Sequence, residues 1–326
     1  MPLLLDERAV ASLLRMEDLI PLMRRALGEL SSGRGLQPVR ATLQIERHGS
    51  SIYVMPGHLA ESDALAIKVV SHSPGNAGRG LPTHLATLLL LDPASGALLA
   101  LMDARLITEM RTAAVSAAAA DALARRGART LALLGSGVQA GSHLDALRRV
   151  RNLEHVWVWS PNREQRESFA RRETERHGLE VEVAPDAERA VRDADLIVTV
   201  TTSTAPVLSG AWLKPGACVI AVGASRPETR ELDGEAVRRA RVFVDSRAAA
   251  ALEAGDILMA EREGAIPPGH VQGEIGEVFN GQVAGRTSES EITLFKSLGQ
   301  AVEDAAAARH VYERARAAEV GIEIEV

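Results

Sequence analysis

Three basic side chains stand among apolar or alanine-rich neighbours, and together they suit an anion. Lys68 interrupts the run Ala64-Leu65-Ala66-Ile67 before Val69-Val70. A lysine in such a strand either reaches solvent or serves a site, and burial lowers its pKa into a range useful for proton exchange. Arg40 lies on the polar side of the alternating stretch Val39 to Ile45, and Arg111 sits where an alanine-rich helical run loses its polar residues. Guanidinium groups bind carboxylates bidentately, so two arginines and a lysine on converging elements suit a carboxylate-bearing substrate. Taken singly, each also fits a surface or structural charge. His84, in Gly80-Leu81-Pro82-Thr83-His84, fits a site acid or a hydrogen-bonded structural histidine. No His, Cys, Asp and Glu cluster has metal-ligand spacing, so no metal is expected. Gly135-Ser136-Gly137 lacks the G-x-S-x-G of a nucleophile elbow.

A second chemistry belongs to the stretch from Thr130 to Gly141. It reads as a short apolar strand, a glycine turn and a helix. Gly135 allows the turn, Gly137 lets backbone approach a pyrophosphate, and Ala140 permits close helix–strand packing. The N–H groups of the following helix then face phosphates, so Ser136, Val138 and Gln139 join the dinucleotide contacts. The next strand, His155 to Trp159, runs into Ser160-Pro161-Asn162-Arg163 with no carboxylate at its end. A carboxylate there would bind a ribose 2′-hydroxyl. Ser160, Asn162 and Arg163 instead suit a 2′-phosphate, which favours NADPH, with NADH the alternative. Arg111, Thr112, Thr201, Thr202, Val222 and Gly223 complete the expected cofactor contacts.

The elements that must position these groups fall into two kinds. Helices are expected over residues 6–14, capped by Asp6, and 16–30. Strands follow at Val39–Ile45, at Ile52–Met55 with an end at Pro56-Gly57, and at Leu65–Val70. A hairpin joins Leu85–Leu91 to Ala97–Met102. Together these make a mostly antiparallel sheet. A helix runs from Asp103 to about Arg125. Strands at 130–134, 155–159, 180–184, 195–201, 218–222 and 241–245 then alternate with helices, a rhythm that implies a parallel sheet. The polar segment Arg286–Glu291 precedes a final helix, expected to pack on the first domain. The fold class is therefore α/β: a Rossmann doubly wound parallel sheet plus a discontinuous α+β domain. The expected domains are residues 1–118, with the C-terminal helix at 301–326 returning to it, and residues 119–300.

Composition bounds the partners. The 326 residues are 46% hydrophobic and 25% charged, as in globular proteins, and the formal charge of −6 argues against a nucleic-acid footprint. The single cysteine, Cys218, permits no disulfide within the chain, which fits a cytoplasmic protein, and it reads as a buried small hydrophobe. No apolar run reaches membrane-spanning length, and Asp6 interrupts the amino terminus too early for a signal peptide.

Five stretches carry a family resemblance: residues 80–87, 107–114, 135–140, 223–232 and 285–297. In this order and spacing the chain resembles the ornithine cyclodeaminase/mu-crystallin family over nearly its whole length. The third stretch alone is generic; the other four are specific. The resemblance implies a homodimer with a discontinuous α+β substrate and dimerisation domain plus a Rossmann domain, and a substrate site in the cleft between them. Arg40, Lys68 and Arg111 match family positions that contact the substrate carboxylate or reacting centre, and Thr83 and His84 lie in a loop near that site. Cyclodeaminases of the family carry Asp followed by Cys-Pro-Gly-Lys in the 223–225 region. Here the chain reads Ser225-Arg226-Pro227, similar to the ketimine and pyrroline-2-carboxylate reductases. Thr229 stands where that branch often has Trp.

The implied reaction is reduction of a cyclic ketimine carboxylate, 1-pyrroline-2-carboxylate or 1-piperideine-2-carboxylate, to L-proline or L-pipecolate. Arg40 and Arg111 hold the carboxylate, Lys68 holds or supplies the imine proton, and Ser225 completes the catalytic set. The alternatives are an ornithine cyclodeaminase that releases ammonia, an alanine dehydrogenase-type enzyme and a non-enzymatic ligand-binding protein.

Overall fold

The computed structural model describes residues 1–325. In chain order the elements begin β1 Leu3–Leu5, α1 Glu7–Leu13, α2 Met16–Ser31, β2 Gly35–Leu36, β3 Ala41–Ile45, β4 Ser50–Leu59, β5 Ala64–His72, β6 His84–Leu91, β7 Leu98–Asp103 and α3 Arg105–Leu123. They continue β8 Thr130–Leu134, α4 Val138–Leu147, β9 His155–Trp159, α5 Arg163–His177, β10 Val181–Val183, α6 Ala187–Val191, β11 Leu196–Thr199 and β12 Cys218–Ala221. The last are α7 Gly234–Arg239, β13 Ala240–Val244, α8 Arg247–Glu253, α9 Gly255–Arg262, β14 Val271–Glu274, α10 Ile275–Phe279, β15 Ile292–Lys296, α11 Ala301–Ala318 and β16 Ile322–Glu323. The chain divides into two compact units, residues 1–112 with 299–326, and residues 113–298, so the division falls inside α3.

The first unit is built on a sheet of order β16-β1-β7-β6-β5-β4-β2, with β3 also paired to β4. Its pairs are antiparallel except β1 with β7. Asp6 caps α1 by accepting from the Ala9 N–H at 2.8 Å. Helix α2 buries the stripe Met16, Leu19, Met23 and Leu27. Helix α11 packs on β4, β5 and α2. Strand β4 does not end at Pro56-Gly57 but runs through them to Leu59. The reason lies in its neighbours. The pairing of β3 stops opposite Val54 and that of β2 starts opposite His58, so Pro56 meets no strand on that side and its missing N–H costs nothing. Gly57 is required by α11: a Cβ there would come within 2.7 Å of the Ala301 backbone.

Strand β5 presents Ala64, Ala66 and Lys68 to the buried side, with Met55 and Leu88 beside Lys68 and Met102 next in the row beyond Leu88. Its other side carries the half-buried Leu65 and Ile67 and the exposed Val69. Strand β3 starts at Ala41 rather than Val39, and the expected alternation is not seen in its burial: Ala41 to Gln44 are all exposed, Leu43 at 62%.

The second unit holds a wholly parallel sheet of order β10-β9-β8-β11-β12-β15-β13-β14. The order reverses direction at β8, as in doubly wound nucleotide-binding folds. The expected strands at 130–134 and 155–159 are reproduced, and the four others lie within a residue or two of their expected bounds. Two members of the sheet, β14 and β15, were not anticipated. Strand β15 is buried along its full length, so it shows no alternation, and it ends in a lysine. The polar segment 286–291 therefore leads into this strand, and only then into α11. No helix among the described residues is long and apolar enough to cross a membrane. No group of three or more His, Cys, Asp or Glu among them is placed to hold a metal.

Candidate functional site

The first unit gathers its cations against α11. Lys68 Nζ lies 2.6 Å from Asp304 Oδ2, with both side chains 1% exposed. Arg111 Nε donates to Asp304 Oδ1 at 3.0 Å, and Nη1 donates to Glu303 Oε2 at 2.5 Å. Thr108 Oγ1 stands 3.5 Å from Lys68 Nζ. Arg40, half-buried, donates from Nη2 to the Gly299 carbonyl at 3.2 Å. Gly299 also lies against Arg111: with φ +80°, a Cβ there would sit 2.6 Å from Arg111 Nη1. Lys68, Arg111 and Arg40 thus come together through Asp304 and Gly299. The start of α11 is sewn down by Gln37, whose Oε1 accepts from Val302 N and whose amide donates to Gln300.

Burial sets the protonation of this cluster. It pushes Lys68 down from 10.5 to about 8, and the Arg111 charge adds to the fall while Asp304 and Glu303 oppose it. Burial also works against charge on Arg111, but Asp304 and Glu303 outweigh it and hold the guanidinium charged. Two cations thus face two carboxylates in a dry site. Arg111 spends its Nε and Nη1 on its own chain, so Nη2 is the nitrogen it presents to a further anion. Asp304 and Glu303 thus take two of the five guanidinium N–H groups of Arg111 and leave the others for a further anion.

Thr83 and His84 lie at the start of β6, opposite the end of β5. Thr83 Oγ1 lies 3.2 Å from His84 Nδ1, and the His84 ring stacks on His72 with centroids 4.5 Å apart. Burial and the neighbouring His72 lower the His84 pKa. Thr112 spends its hydroxyl within its helix, donating to the Thr108 carbonyl at 2.7 Å.

In the second unit the glycine turn has the geometry an anion needs. Gly135 has φ +123°, and a Cβ would meet the Val200 carbonyl oxygen at 2.7 Å. Gly137 is the N-cap of α4 with no side-chain cap, and nothing lies within 4 Å of where its Cβ would be. Open space therefore faces the helix N-terminus, where Val138 is exposed and Ala140 buried. This arrangement fits a pyrophosphate. Behind it, His143 is buried with Nε2 2.8 Å from Ser116 Oγ and Nδ1 2.7 Å from the Gln139 carbonyl. Burial pushes its pKa down to about 4, so it is a neutral structural residue that orients the first turn of α4.

Ser160 Oγ lies 2.9 Å from Ser136 Oγ, joining the end of β9 to the glycine turn. Asn162 caps α5 by accepting from Gln165 N at 3.0 Å. Arg163 is 81% exposed and pairs with Glu167 at 2.7 Å. Arg166, unnoticed in the sequence, donates to the Ser160 carbonyl at 2.7 Å. Thr201 N donates to Glu231 Oε1, Thr202 is exposed, and Val222 N bonds the Thr199 carbonyl. Ser225 is exposed on the loop after β12, whereas Thr229 is buried with its hydroxyl on the Arg226 carbonyl.

Sequence reasoning missed Asp304 and Glu303. Both stand in the first turn of an alanine-rich helix, where acids are commonplace. The available signal was position: Asp304 follows Ala301 by three and precedes Ala308 by four, so it shares the apolar stripe.

The model of the ornithine cyclodeaminase/mu-crystallin family matches residues 2–319. The ketimine reductase mu-crystallin of Mus musculus is 42% identical over 316 residues, covering 96% of this chain and 97% of that protein. Among solved structures, Delta(1)-pyrroline-2-carboxylate reductase of Thermococcus litoralis, in complex with NADH and L-proline, aligns with a TM-score of 0.96 at 39% identity, covering 99% and 100% of the two chains. An archaeal alanine dehydrogenase dimer with bound NAD aligns with a TM-score of 0.94 at 35% identity, covering 99% of each.

Proposed function

The chain belongs to the ornithine cyclodeaminase/mu-crystallin family, and from that premise we propose that it reduces a cyclic ketimine carboxylate with NADPH. The substrate is 1-pyrroline-2-carboxylate or 1-piperideine-2-carboxylate, and the product L-proline or L-pipecolate. The observation that carries this reading is the buried Lys68, paired with Asp304 and poised near pH 8 beside Arg111.

Each residue has a physical task. Arg40 and Arg111 Nη2 take the substrate carboxylate. Lys68 Nζ holds the proton that makes an imine a strong hydride acceptor. Asp304 keeps that ammonium oriented and charged, while Met55, Leu88 and Met102 keep water from it. The reduced nicotinamide, when bound, supplies the hydride. Gly135, Ser136, Gly137 and the first turn of α4 hold the pyrophosphate. Ser160, Asn162 and Arg163 take the 2′-phosphate, which would draw Arg163 away from Glu167. Ser225, where cyclodeaminases carry Asp, favours the reductase over ornithine cyclisation.

The assay is direct. NADPH oxidation is expected with both cyclic imines and slower oxidation with NADH. No ammonia should leave ornithine, and pyruvate with ammonium should be a poor substrate. Ornithine-dependent ammonia release without imine reduction would refute the proposal.

We also propose that the first unit forms a homodimer through the sheet face opposite α11. Leu43, Val54, Val69 and Leu85 lie on that face at 36–62% exposure; Val54 and Val69 pair directly, and Leu43 and Leu85 stand two residues along from the positions opposite them on β3 and β6. Adjacent exposed apolar residues of this kind mark an interaction surface, and the archaeal relative is a dimer. Val69→Lys should convert the dimer to monomer in analytical ultracentrifugation. A wild-type monomer, or an unchanged dimer in the variant, would contradict this.

A further inference from the structure

A second buried charge cluster lies at the carboxyl ends of β11, β12 and β15, and the reaction above does not use it. Glu231 is 0% exposed, and its polar groups are fully engaged. Oε1 accepts from Thr201 N at 2.6 Å, and Oε2 accepts from Gly223 N and Thr199 Oγ1, both at 2.7 Å. Its own N–H donates to Asp256 Oδ1 at 2.7 Å, as does Leu232 N at 3.0 Å. Its carbonyl accepts from Val207 and Leu208. Asp256 in turn pairs with Lys296 at 2.9 Å, both fully buried.

One carboxylate therefore joins the loop after β11 to the loop after β12. The fit is tight: a Cβ on Gly223 would come within 2.2 Å of the Thr201 carbonyl oxygen and 2.4 Å of Glu231 Oε1. Burying a carboxylate is costly unless hydrogen bonds meet it, and here three donors do. Lys296 and Asp256 lock the backbone that carries it.

The placement gives the device a purpose. In a doubly wound sheet the adenosine ribose is read at the end of the second strand, here β9, and the pyrophosphate sits after the first, β8. The nicotinamide half then extends over the ends of β11 and β12. We propose that Glu231 is a positioning residue for the nicotinamide half of the cofactor: it fixes the Thr201 and Gly223 peptides, and thereby the two loops over which the nicotinamide ribose lies. This rests on the dinucleotide reading above.

Glu231→Gln tests it. Whichever way the amide is turned, its NH2 group meets a peptide N–H, of Thr201 or of Gly223. Titration calorimetry compares NADPH with 2′-phospho-ADP, and NADH with ADP, each truncated ligand lacking the nicotinamide and the ribose that carries it. The variant should bind the complete dinucleotide about tenfold more weakly, the scale of one charge-assisted hydrogen bond turned unfavourable, and the truncated ligand as the wild type does. Thr199→Val removes one donor and should show the same selective loss, about threefold. It carries the test alone if the glutamine variant does not fold. Equal binding of all ligands to wild type and variants, or equal loss of complete and truncated ligands, overturns the proposal. Failure of the wild type to bind either dinucleotide overturns instead the reading on which it rests.

Discussion

Lys68→Met is expected to leave NADPH binding unchanged and to lower turnover of the cyclic imine by about 10²–10⁴-fold, the usual worth of a positioned proton donor. Lys68 is not among the residues expected to touch the dinucleotide, and the change leaves the glycine turn and the N-terminus of α4 intact. Methionine keeps the stem's packing beside Met55 and Leu88 and removes the proton. The pH profile separates chemistry from packing. Wild-type kcat/KM reports the free enzyme and should fall above about pH 8, where the buried ammonium loses its proton. A bound substrate carboxylate stabilises the ammonium, so the same limb in kcat should lie at higher pH. Both limbs should vanish from the residual activity of Lys68→Met. Unchanged turnover removes Lys68 from the mechanism. A limb that persists in the variant assigns the titration to another group.

What could be read in advance, and what could not, divides along physical lines. A lysine inside an apolar strand is a local conflict, so Lys68 was legible from its neighbours alone. Which side of β5 it faced was not, because Leu65, Ile67 and Val69 are more apolar than Ala64 and Ala66 yet form the outward side. The same local conflict at Lys296, which ends the apolar run Ile292–Phe295, carried equal information and passed unread, and with it a central strand of the sheet. Strands β8 and β9 could be placed to the residue because glycine or proline chemistry closes them. The glycine turn was legible as a turn: Gly135 answers a steric need of the fold itself, whereas Gly137 faces open space and answers only to the proposed pyrophosphate.

Partners distant in sequence were the illegible part. Asp304 follows Lys68 by more than two hundred residues, and nothing local distinguishes it from an ordinary helix-start acid. Glu231 was quoted in a family stretch, but only the folded chain shows it bonded to Thr199, Thr201 and Gly223. Arg111 shows a further limit. Its type suits a carboxylate, and the two carboxylates it meets, one through Nε and one through Nη1, belong to its own chain.

Asp304→Asn should therefore alter the enzyme twice. It removes the carboxylate shared by Lys68 and Arg111 and leaves two buried cations facing Glu303, a change that costs about 3–5 kcal/mol of stability when one member of a buried pair is lost. It also removes the group that does most to hold Lys68 charged against burial and Arg111, so the Lys68 pKa falls below about 8. The two effects are linked through protons. Where the unfolded lysine is charged and the folded one neutral, the unfolded state binds more protons and stability rises with pH. In the wild type that gain starts near pH 8; in the variant it starts lower. The stability deficit of the variant should therefore shrink as pH rises from its own Lys68 pKa to about 8 and stay level above. The basic limb of kcat/KM should move to lower pH by the same interval. Urea unfolding and kcat/KM, each measured across pH 6 to 9, read the two shifts independently. A deficit constant over that range, with an unmoved limb, would show that Asp304 does not govern the lysine proton. Coincident shifts would establish that a carboxylate on the last long helix sets the pH at which the first unit can protonate an imine.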